Sequence, residues 1–70
     1  MKLSARNQLK GTVTEIQDGA VNAIVKVDIG GGNIISSVIT MASVRELDLK
    51  VGGTAYAVIK ASNVMIGVDD

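Results

Sequence analysis

Seventy residues with no cysteine and no histidine exclude disulfides and the usual zinc, copper and iron ligand sets as stabilising devices. Seven Lys and Arg balance seven Asp and Glu, giving zero formal net charge and a pI near 6.1, so no general positive field is present to hold a long polyanion. A chain this short buries only about 60% of its unfolded surface, yet 47% of its residues are hydrophobic and its mean hydropathy is +0.37, an apolar surplus that points to a homo-oligomer.

The chain opens on one Lys and then polar residues, Ser4-Ala5-Arg6-Asn7, where a loose tail is the default. No apolar run approaches the roughly 20 residues of a membrane span, so a soluble, cytoplasmic protein is expected. In LKGTVTEIQ, Leu9, Gly11 and Val13 alternate and Ile16 falls out of phase, which predicts a strand with a bulge near Thr14–Glu15. Asp18-Gly19 marks a hairpin turn. Val21, Ala23, Val25, Val27 and Ile29 then alternate as the second strand, closed by the glycine run Gly30–Asn33. That run lacks G-x-x-x-x-G-K-[ST] and is followed by a strand, so it reads as a turn and not as a phosphate loop.

Ile34–Thr40 is the third strand. MASVRELDL changes to helical spacing through Met41, Val44 and Leu47, with Ser43-Val44-Arg45-Glu46 matching the capping box S-x-x-E. Lys50-Val51-Gly52-Gly53 is a turn, Thr54–Ile59 the fourth strand and Val64–Val68 the fifth, before a solvated Asp69-Asp70 end. Met41 and Met65 read as core fillers. Residues 1–70 are therefore expected to form one all-β domain, a small five-stranded OB-type barrel with one short helix between strands three and four.

Catalysis of the common kinds needs an activated nucleophile or a tuned acid/base pair, and the chain offers no Cys, no His and only scattered carboxylates. Nucleic-acid-binding OB barrels stack bases on aromatic rings over a basic groove, whereas Tyr56 is the lone aromatic residue here. Three polar clusters remain at the ends of elements: Ser4-Ala5-Arg6-Asn7, Thr40 with Ser43, and Lys60-Ala61-Ser62. Together they supply what an acceptor-only tetrahedral oxyanion requires, namely cationic Arg6 and Lys60, rotatable hydroxyls, and peptide N–H groups beside small alanines. Each has a plainer alternative: Thr40 or Ser43 as a helix cap, and Arg6 and Lys60 solvated or paired with Glu15, Glu46 or Asp48.

SARNQLKGTV, DGAVNA, ITMASVREL and VIKASNVMI, in that order, resemble the molbindins, small bacterial molybdate-binding proteins built from one Mop domain. The resemblance covers nearly the whole chain. It implies an OB-like barrel whose subunits exchange strands and assemble as a hexamer, a trimer of dimers. It also implies binding of molybdate, with tungstate as a mimic, for molybdenum storage and homeostasis, with no organic cofactor and no bare cation.

Carried onto this sequence, the first kind of inter-subunit site uses Ser4, Ala5, Arg6 and Asn7 with Lys60, Ala61 and Ser62, and takes Thr40 and Ser43 from a neighbouring subunit. A second site near the threefold axis falls on Gly19, Ala20, Val21 and Asn22. The chain carries neither a helix-turn-helix segment nor a P-loop, which favours a stand-alone role. Rival readings are a nucleic-acid-binding OB module and a ligand-free structural or interaction module.

Overall fold

A computed structural model describes residues 1–70. Its elements are strands β1 (Asn7–Asp18), β2 (Asn22–Gly30) and β3 (Asn33–Thr40), helix α1 (Met41–Glu46), strand β4 (Thr54–Ile59) and a single 3-10 turn at Ala61–Asn63. All strands join one antiparallel sheet in the order β3-β2-β1-β4.

Strand β1 spans 12 residues and serves two partners. Its first half pairs with β4, from Asn7↔Ile59 to Thr12↔Thr54, and its second half with β2, from Thr12↔Asp28 to Asp18↔Ala23. The register shifts between Val13 and Glu15, at the bulge expected from the phase break, and a bulge of this kind increases local twist and bends the strand. The sheet curls accordingly around Val13, Ala23, Val25 and Val27, which are buried, and α1 adds Val44 to the same core. Gly11 permits the close approach of β1 to β2: a Cβ there would collide with the Asp28 carbonyl oxygen and lie 2.8 Å from Val27 Cγ1.

The turns follow from local chemistry. Strands β2 and β3 are joined through Gly31 and Gly32 at φ +63° and +80°, and positive φ at both central residues is what a type I′ hairpin demands. Helix α1 ends in a Schellman arrangement. Asp48 sits at φ 51°, its N–H donates to the Arg45 carbonyl at 3.1 Å, and the Leu49 N–H donates to the Val44 carbonyl at 3.1 Å.

Several expectations are corrected. The helix cap is Thr40, whose side chain accepts the Ser43 N–H; Ser43 lies inside the first turn, so the S-x-x-E match is not the capping box in use. Strand β2 starts at Asn22, and Val21 belongs to the turn, 71% exposed, with its carbonyl accepting the Met41 N–H. Leu47, expected on the apolar face of the helix, is its C-cap and is 66% exposed.

The sheet has four strands and not five: Val64–Val68 forms no strand. A strand exists only against a partner, and this segment finds none within the chain, leaving Met65 92% and Ile66 88% exposed. Met65 is therefore not a core filler.

Candidate functional site

The rung Asn7↔Ile59 is the outermost pair of β1 with β4. Beyond it the chain segments on either side leave the sheet next to each other. Ser4, Ala5 and Arg6 from one and Lys60, Ala61 and Ser62 from the other line a pocket of about 490 Å³. Two clusters separated by more than fifty residues in sequence thus form two walls of one cleft because the strands between them pair.

Four hydrogen bonds shape these walls. The Asn63 N–H donates to the Lys60 carbonyl at 2.8 Å and the Val64 N–H to the Ala61 carbonyl at 3.2 Å, closing the turn after β4. Asn7 Nδ2 donates to the Ile59 carbonyl at 3.2 Å, and Gln8 Nε2 donates to the Ala5 carbonyl at 3.0 Å.

Neither Arg6 nor Lys60 joins an ion pair. The two salt bridges are Lys26–Glu15 at 3.8 Å and Lys50–Asp48 at 3.5 Å, so the pairing alternative for Arg6 and Lys60 does not hold. No carboxylate lines the pocket. Two cations, two hydroxyls and several peptide groups with no anionic competitor make a surface suited to an acceptor-rich anion.

Asn7, expected among the pocket residues, does not line the pocket, and its amide is committed to the Ile59 carbonyl. Thr40 and Ser43 are likewise outside this pocket, at the start of α1, where Thr40 Oγ1 donates to Ser43 Oγ at 2.9 Å. The second expected stretch lies beside them: Asn22 pairs with Thr40 across β2 and β3, and Val21 accepts the Met41 N–H at 2.8 Å. Gln8 was not singled out by residue type, since a glutamine at a strand start carries no signal until the carbonyl three residues back is seen in its reach. No group of three or more His, Cys, Asp or Glu residues is placed to hold a metal ion, and no helix is long and apolar enough to cross a membrane.

A curled antiparallel sheet with one short helix before its last strand, carrying a donor-lined pocket, defines a small OB-like ligand-binding module. Residues 3–66 match the TOBE domain family, and the chain belongs to it.

It is 62% identical over 69 residues to a probable molybdenum-pterin-binding protein of Haemophilus influenzae, an alignment covering 99% of this chain and all of the relative. Among solved structures it matches MopII from Clostridium pasteurianum in an apo form, at 48% identity and a TM-score of 0.89, over 96% of this chain and 100% of that one. The cytoplasmic molybdate-binding protein ModG, solved with molybdate bound, matches at 55% identity and a TM-score of 0.92, over 99% of this chain and 49% of that one. The resemblance to the molbindins and the OB-like fold class therefore hold.

Proposed function

We propose that this protein reversibly binds molybdate, with tungstate as a close mimic, as a non-enzymatic module of molybdenum storage and homeostasis in the cytoplasm. The observation that carries the reading is the joining of Ser4-Ala5-Arg6 to Lys60-Ala61-Ser62 in one pocket free of carboxylates. A dianion loses much hydration on entering, and charge-assisted hydrogen bonds from Arg6 and Lys60 with hydroxyl and peptide donors replace it. The relatives' names pair molybdenum with a pterin. A flat, donor-bearing heterocycle calls for an aromatic or apolar slot with acceptors, and these six residues offer neither a ring nor a carboxylate. The free oxyanion fits them better.

In this reading the working form is an oligomer, a hexamer built as a trimer of dimers, and Thr40 and Ser43 reach the pocket from a neighbouring copy. Support comes from the burial of only five of 70 residues. An apolar groove of about 680 Å³ also runs between β3 and β4, lined by Ile35, Ile39, Ala55, Ala57 and Ile59 among others. That gap is where a fifth strand closes an OB barrel, and Val64–Val68 of a second copy is the occupant that matches it in apolarity. Gly19–Asn22 is assigned to a second oxyanion site.

The test is a thermal melt with and without molybdate. At about a hundredfold excess over Kd a ligand that binds only the folded state stabilises by about 2.7 kcal/mol. The wild-type midpoint is expected to rise, and the rise to vanish in a folded Arg6→Ala, Lys60→Ala double variant. An undiminished shift in that variant overturns the site.

A further inference from the structure

We infer that Asn7 and Gln8 are positioning residues whose side-chain amides hold the carbonyl oxygens of Ile59 and Ala5, so that both walls of the pocket present donors. The inference rests on the oxyanion reading above and adds to it a reason for the pocket's polarity.

A pocket built from irregular chain has as many carbonyl oxygens as peptide N–H groups within reach of its contents. For a dianion each carbonyl that turns inward is repulsive, and each N–H is attractive. The Lys60 and Ala61 carbonyls are taken by the Asn63 and Val64 N–H groups. Two more carbonyls accept side-chain amides: that of Ala5, in the pocket wall, from Gln8 Nε2 at 3.0 Å, and that of Ile59, next in the chain to Lys60, from Asn7 Nδ2 at 3.2 Å. By contrast, none of the backbone hydrogen bonds outside the strands and helices uses the N–H of Ser4, Ala5 or Arg6. Three of the six lining residues, Ala5, Lys60 and Ala61, thus have their carbonyls engaged, while the Ser4, Ala5 and Arg6 N–H groups are left over.

The order of the two residues suits the geometry. Successive side chains of a strand point to opposite sides, so a dipeptide can serve two walls at once. Asn7 is directly paired with Ile59, and its short amide needs only to cross that rung. Gln8 folds back over its own chain to a carbonyl three residues earlier, which takes the longer side chain. Exposed Gln8 contributes little to the core, so its hydrogen bond to Ala5 is a contact whose removal reports on the pocket more than on the fold.

The experiment is isothermal titration calorimetry with sodium molybdate on the full chain as wild type, Gln8→Met and Asn7→Asp, with ligand-free thermal midpoints measured alongside. Met keeps the length of Gln without its donor, and Asp replaces the Asn7 donor with an acceptor. Saturable wild-type binding, with affinity lowered about three- to tenfold in Gln8→Met and further in Asn7→Asp, is the expected result. The ligand-free midpoint of Gln8→Met is expected to stay within a few degrees of wild type.

Equal affinity of Gln8→Met and wild type overturns the inference while leaving the molybdate reading intact, and this arm decides alone if Asn7→Asp does not fold. A loss of affinity matched by an equal loss of ligand-free stability also overturns it, because the hydrogen bond then serves the fold. A wild type that takes up no molybdate overturns both.

Discussion

The Thr40 hydroxyl oxygen accepts the Ser43 N–H at 3.0 Å and donates its own proton to the Ser43 hydroxyl at 2.9 Å, which leaves the Ser43 proton uncommitted. Capping and outward donation are thereby divided between two side chains. Thr40→Val keeps the shape and removes the cap, and is expected to cost about 1 kcal/mol in urea unfolding at fixed protein concentration. Ser43→Ala keeps the N–H that the cap uses and is expected to cost distinctly less. Equal losses contradict this division.

Gly11 is set between two neighbours, paired with Ala55 on β4 and pressed against the Asp28 carbonyl of β2. Gly11→Ala forces backbone apart and has no flexible side-chain end to displace. A loss of about 2–3 kcal/mol is expected from denaturant unfolding. A neutral result shows that β1 and β2 separate more readily than their packing implies.

Asp48 occupies a left-handed conformation, φ 51°, at the residue where the Schellman motif favours glycine. Asp48→Gly removes the Cβ strain and is expected to raise stability by about 0.5–1 kcal/mol. The salt bridge it gives up, Asp48–Lys50 at 3.5 Å, is solvated at both ends and offsets little. A destabilised variant assigns Asp48 a role beyond the turn.

The tail after the Ala61–Asn63 turn carries exposed Met65, Ile66 and Val68, and the groove between β3 and β4 is apolar and open. Light scattering of the wild type is expected to give a mass well above the 7.2 kDa of one chain, and Ile66→Asp to reduce it. A wild-type mass of one chain contradicts the oligomer.

Most of this was legible in the sequence for identifiable reasons. Alternation in Ala23–Ile29 and the phase break at Ile16 report directly on which face of a strand is buried, and the glycines at 31 and 32 report on a turn only glycine adopts readily. The pocket clusters could be listed because donors concentrate at the ends of elements. That Ser4-Ala5-Arg6 meets Lys60-Ala61-Ser62 needed the register Asn7↔Ile59, which residue types do not state.

Where the readings misled, a local pattern was plausible and its surroundings decided otherwise. Ser43-x-x-Glu46 and Thr40-x-x-Ser43 are both plausible helix starts, and the end of β3 at Thr40 selects the second. Val64–Val68 has the composition of a strand, but composition does not supply a partner.

The proposed function places molybdate in the pocket that Arg6 and Lys60 line. Isothermal titration calorimetry of the wild type with molybdate, tungstate and sulfate at fixed ionic strength tests it most directly. Saturable heat with molybdate and tungstate and little or none with sulfate is the predicted result. No heat with any of the three, in protein shown to be folded and assembled, contradicts it.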